Sequence, residues 1–120
     1  MIQCVINRDT LHQYIAAVPH GKKLEACLAD PVLYKKLLAE PTVMILGRFG
    51  ELLGLNLMAG YMTEQLIAGR SSEEILRTMV RRFASDRETA TRIMTDYFDL
   101  IRLLDQKGYA RIFHTIHQAP

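Results

Sequence analysis

The sequence predicts an α+β fold, mostly helical and winged-helix-like: a β-hairpin followed by three helices, preceded by a helical N-terminal prefix. Three observations lead there. Ser71 stands three residues before Glu74, and Ser85 three before Glu88, so two helix starts carry a capping-box pattern. Gly69 and Gly108 follow apolar-periodic stretches, where a helix needs a residue with positive φ to end. Ahead of both glycines, Asn56 marks a further helix start just after a short, glycine-punctuated apolar run.

The chain has 120 residues, 49% hydrophobic and 23% charged, which is ordinary globular composition and predicts a single domain over 1–120. Residues 1–41 form the prefix, 42–109 the hairpin and three-helix unit, and 110–120 a tail or short strand. Met1 to Ile6 reads as a short strand. Leu11, Tyr14, Ile15 and Val18 fall at helical spacing behind Asp9 or Thr10, and Pro19 and Gly21 end that stretch. Leu24, Cys27 and Leu28 share one side of a further helical turn or two. Asp30-Pro31 then restarts a helix carrying Leu33, Leu37 and Leu38, with aspartate as cap and proline where no amide is needed.

Thr42 to Asn56 reads as a hairpin. Thr-Val-Met-Ile-Leu is a continuous apolar run with β-branched members, Arg48-Phe49-Gly50 supplies the turn, and Glu51 to Leu55 returns antiparallel. Met44 and the leucines fit a helix almost as well, and the glycines at 47, 50 and 54 decide for strands. The helix after Asn56 buries Ala59, Met62, Leu66 and Ile67. The next carries Ile75, Leu76, Met79, Val80 and Phe83. The last places Ala90, Met94, Tyr97, Ile101 and Leu104 on a stripe that Ile93, Phe98, Leu100 and Leu103 widen. Beyond Gly108, residues 109–116 alternate loosely, as a final strand would.

Charge and chemistry narrow the function. The net charge is +2, and no segment forms a basic block. The last helix sets Arg87, Arg92, Arg102 and Lys107 against Asp86, Glu88, Asp96, Asp99 and Asp105, which argues against a surface that displaces phosphate counterions. Arg77, Arg81 and Arg82 keep a DNA-binding winged-helix regulator as the rival reading, with a solvated basic edge as the plainer account of those arginines. Two cysteines, Cys4 and Cys27, make no disulfide framework, so a reducing, cytoplasmic setting is expected. No signal peptide or membrane span is legible. His114 and His117 would share a helix face, but His12, His20, Cys4 and Cys27 are too scattered to complete a metal site. Asp96, Asp99 and Asp105 read as a solvated, ion-paired face rather than an acid–base pair. No phosphate loop, nucleophile elbow or zinc-protease spacing occurs. The expectation is therefore a binding protein, not an enzyme, with no cofactor. A self-associating adaptor, with methionines 58, 62, 79 and 94 as an adaptable surface or a seam through Leu100 and Leu103, is a third class.

Residues 55–109 resemble the PqqD-like family, small domains that recognise precursor peptides in RiPP biosynthesis, the making of peptide-derived natural products. The resemblance rests on Leu55-Asn56 leaving a strand, Ala-Gly-Arg-Ser-Ser-Glu-Glu-Ile at 68–75, Phe83, Leu104 and Gly108-Tyr109, and covers about half the chain. It implies three strands followed by three helices, with a precursor peptide added beside the third strand over a groove shared with the third helix. On this chain the implied edge is Glu51 to Asn56, with Glu51, Leu52, Leu53 and Leu55 as contacts. The facing helix would offer Met94, Phe98, Ile101, Arg102 and Asp105. The implied partners are a precursor peptide and its modifying enzyme, with no nucleic acid or membrane, and a homodimer as a further possibility. The forty-residue helical prefix departs from the family plan.

Overall fold

The computed structural model describes residues 2–16, 24–32, 43–47 and 50–114. Its elements are β1 (Ile2–Ile6), β2 (Leu11–Ala16), α1 (Leu24–Ala29), β3 (Val43–Gly47), β4 (Leu52–Leu55), α2 (Leu57–Ile67), α3 (Ser72–Phe83), α4 (Arg87–Gln106) and β5 (Ala110–His114). The fold is α+β, with one two-stranded and one three-stranded antiparallel sheet. The chain divides into two compact units, Arg8–Glu64 and a second made of Met1–Asn7 with Gln65–Pro120, and the division passes through α2 near its end.

The contiguous unit holds the three-stranded sheet, in the order β2-β3-β4. The expected hairpin is present. Gly50, at φ +84°, donates to the Gly47 carbonyl (3.1 Å), and Gly47 donates to the Glu51 carbonyl (2.8 Å). This is the pairing of a bulge whose first residue must be left-handed, the conformation glycine takes without a Cβ penalty. β2 corrects the helical prefix. Residues 11–16 are a strand paired antiparallel with β3, Tyr14 opposite Ile45 and Ile15 opposite Met44. The 3.6-residue spacing of Leu11, Tyr14 and Ile15 is real, but an isolated helix that short is marginal, whereas β3 offers a ladder to its tyrosine and isoleucine. The α1 helix lies where Leu24, Cys27 and Leu28 placed it, with Cys27 and Leu28 buried. Asp30 Oδ1 accepts from Val32 N–H at 3.1 Å and so caps the restart. Val18 and the Leu33–Leu38 stripe lie outside the described residues.

The N-terminus of α2 is capped by Asn56, whose Oδ1 accepts from Ala59 N–H (2.9 Å). Leu57, Tyr61, Met62, Thr63 and Leu66 are buried, and the Thr63 hydroxyl is satisfied by the Ala59 carbonyl at 2.9 Å. At its end Arg70 N–H reaches the Gln65 carbonyl and Gly69 N–H the Leu66 carbonyl. This is a Schellman motif, with Gly69 at φ +87°.

In the other unit, α3 and α4 pack together, and a ribbon of β1 and β5 packs on them, β5 against α4 and β1 against α3. The expected first and last strands are both present, and they pair with each other: Cys4 stands opposite Ile112 and Val5 opposite Arg111. Their alternation puts Cys4 and Ala110 inward and leaves Val5 and Phe113 about half exposed on the outer face. The α3 N-terminus carries the predicted Ser71 cap. Its Oγ accepts from Glu74 N–H (3.2 Å) and donates to Glu74 Oε1 (3.0 Å), so the glutamate meets the hydroxyl rather than the serine amide. The second capping pair is displaced by one residue. The cap of α4 is Asp86, accepting from Thr89 N–H at 2.7 Å, instead of Ser85 with Glu88. A carboxylate facing the positive end of a long helix is a stronger acceptor than a hydroxyl, and the shift leaves Glu88 in the first turn.

Candidate functional site

The positions the sequence singled out are distributed over both units. Glu51, Leu52, Leu53 and Leu55 sit on or beside β4, the edge of the three-stranded sheet, which among the described residues pairs only with β3. Leu52 is 63% exposed and Leu55 is 5% exposed, so the strand alternates outward, inward, outward, inward from Leu52 to Leu55. The Gly47–Glu51 bond sets the ladder. Hydrogen-bonded pairs recur every second residue, at Ile45–Leu53 and Val43–Leu55, and the amides of Leu52 and Gly54 point away from β3. An arriving strand would therefore meet the backbone of Leu52 and Gly54, with the Leu52 side chain beside it. The side chain of Leu55 is turned inward and buried.

Met94, Phe98, Ile101, Arg102 and Asp105 lie on α4, in the other unit. They do not all line one depression. Phe98, Ile101 and Arg102 line a cavity of about 360 Å³ together with Ile2 and Ile112 of the ribbon. Ile101 is 1% exposed and forms its floor; Phe98 is partly exposed and meets Tyr97 edge-on, ring centroids 5.8 Å apart. Arg102 is exposed and reaches Asp99 only at 3.8 Å, a pairing of little energy. Asp105 is exposed, and its charge bears on Cys4. Met94 belongs elsewhere, in a groove between α3 and α4 with Glu73, Leu76, Arg77, Val80 and Arg81. Sequence reasoning missed Ile2 and Ile112 as wall residues, because which face of the ribbon turns inward depends on its partner. It also missed the α3 side of the Met94 groove, because Leu76 and Val80 looked like core.

The same unit holds a small buried polar pair. The Ser72 and Tyr97 hydroxyls lie 2.6 Å apart, joining the first turn of α3 to the middle of α4. Burial pushes the Tyr97 phenol up from its usual value, against the lowering effect of the Ser72 hydrogen bond, and the nearby Cys4 adds to the rise. Burial, then the charge of Asp105, pushes the Cys4 thiol up to about 11. A thiol held that far toward its neutral form is a poor nucleophile, and Cys4 and Cys27 are both buried and free. The Asp86 carboxyl is held below its ordinary value, first by the hydrogen bonds from Thr89. Asp96 is raised by burial and by Asp99, against the opposing charge of Arg92.

Among the described residues no group of three or more histidine, cysteine or carboxylate side chains could hold a metal ion. His114 lies in β5, and His117 lies outside the described residues. Of the two leucines of the expected seam, Leu100 is 4% exposed and Leu103 is half-buried. Among the described residues no helix is long and apolar enough to cross a membrane. No protein-family model matches the chain, and no curated protein or solved structure does so either.

Proposed function

We propose that this protein is a non-catalytic recognition subunit that binds an extended precursor peptide by strand addition along β4 and presents it to a modifying enzyme. The observation that carries the reading is the β4 edge itself, with the Leu52 and Gly54 backbone aimed away from β3 and Leu52 63% exposed. A strand added there gains main-chain hydrogen bonds in tolerant register, while side chains on alternate positions set the choice of peptide. The order of elements supports it. Three paired strands, β2, β3 and β4, with α1 between the first two, precede three helices, and the resemblance to the PqqD-like family implies three strands followed by three helices. Held on the enzyme, such a subunit works by raising the local concentration of substrate. The two free buried thiols agree with a cytoplasmic setting.

The test is a pull-down from native lysate with tagged protein, read by mass spectrometry for peptides, proteins and nucleic acid, beside Leu52→Pro. Proline at 52 removes an outward amide and spares the ladder to β3, so the fold should persist. Recovery of a short peptide by the wild type and its loss with Leu52→Pro is the expected result. Equal recovery by a folded Leu52→Pro protein rejects strand addition, and salt-sensitive recovery of DNA rejects the reading as a whole.

A further inference from the structure

The groove between α3 and α4 lies in the other unit from the β4 edge. Its floor is apolar: Leu76 and Val80, one turn apart on α3, face Met94 of α4, which is 43% exposed. Its volume is about 480 Å³. Along the α3 rim stand Glu73, Arg77 and Arg81, at successive four-residue steps. Arg77 is matched internally, its guanidinium 2.8 Å from the Glu73 carboxylate. Arg81 is exposed and makes no ion pair among the described residues.

We infer that this groove docks an amphipathic helix of a partner protein, with apolar anchors seated on Leu76, Val80 and Met94 and a carboxylate paired to Arg81. Two features of the groove select a helix. Both walls are helices whose backbone groups bond internally, so they offer no edge to an extended chain, and an occupant must satisfy its own backbone. The trough between two packed helices also accepts the side-chain ridge of a third, with anchors one turn apart matching Leu76 and Val80. The charge selects an acidic one. An occupant covering the rim takes Arg81 partly out of water, and a basic or neutral occupant would leave that cation unmatched. The apolar floor argues against nucleic acid, whose backbone makes no use of three aliphatic side chains.

The test uses the full chain, isotopically labelled, titrated with a synthetic sixteen-residue helical peptide bearing leucines at i and i+4 and glutamates on the flanking positions. A matched peptide with lysine in place of every glutamate is the control. Binding of the glutamate peptide should shift amide resonances over residues 73–81 and around 94. The lysine peptide should bind at least tenfold more weakly. Arg81→Glu should weaken the glutamate peptide at least tenfold and Met94→Asp should abolish its binding, while Leu52→Pro leaves it unchanged. Both groove positions are exposed, so these variants are expected to fold, and their spectra report whether they do. Shifts scattered away from the groove, equal binding of the two peptides, or indifference to Arg81→Glu would overturn the inference. Displacement of the peptide by duplex DNA with matching shifts at residues 77–82 would overturn it in favour of a nucleic-acid surface. The β4 edge is untouched by any of these outcomes.

Discussion

Tyr97 and Ser72 are both almost fully buried, and each hydroxyl is the other's partner. Tyr97→Phe keeps the ring and strands the serine, which should cost about 1–3 kcal/mol and appear as a lowered midpoint in thermal or urea unfolding. Tyr97→Phe with Ser72→Ala should recover part of that loss, since neither buried polar group is then left alone. Cys4 supplies a pH dependence. Its folded value of about 11 lies above the ordinary 9.0, so the unfolded chain loses the proton first. The stabilisation is fully present below pH 9 and is lost as pH rises toward 11. A stability curve over that range should fall more steeply for the wild type than for Cys4→Ala. Asp86 acts in the opposite direction. Its folded value is lowered, so its cap is intact above the ordinary carboxylate range and weakens as acid protonates it. Asp86→Asn keeps an acceptor without a charge and should flatten the acid side of the curve.

At the scale of elements, the ends of helices were the most legible part of the chain, because capping is local chemistry. Ser71, Asn56, Gly69 and Gly108 all do what their residue types suggest. Gly108 sits at φ +79° with open space where a Cβ would go, and Tyr109 N–H closes the α4 end on the Leu104 carbonyl (2.9 Å). Gly108→Ala should therefore lose about 1–2 kcal/mol through backbone strain alone, with no clash to relieve. The hairpin was legible from its glycines. Strand β2 was not, since Leu11, Tyr14 and Ile15 fall at helical spacing and it is pairing with β3, remote in sequence, that makes the segment a strand. The candidate site was half legible for a similar reason. Leu52 could be placed on an edge from sequence, but how far Leu55 and Ile101 are exposed is decided by what packs on them, and both are buried. Phe98 lies between those cases. Phe98→Ala should cost less than the roughly 3–5 kcal/mol of a fully buried ring, and a melting curve beside a peptide titration would separate its packing from its binding role.

At the scale of the whole molecule, the ribbon ties residues 2–6 to residues 110–114, so one unit is assembled from both ends of the chain while the other lies between them. Deleting residues 1–7 should leave β5 without its partner and uncover the inward side of α3 and α4, and the expected outcome is loss of protected amides throughout 72–114 in hydrogen exchange. On a ribosome the same arrangement imposes a schedule. The segment from Arg8 to Glu64 can complete its sheet while later codons are still being read. The first strand must wait, unpaired and carrying Val5 and Cys4, until about a hundred further residues have emerged. Closing a contact that long is slow in entropic terms. The waiting strand is the point at which a newly made chain is most open to pairing with the wrong neighbour.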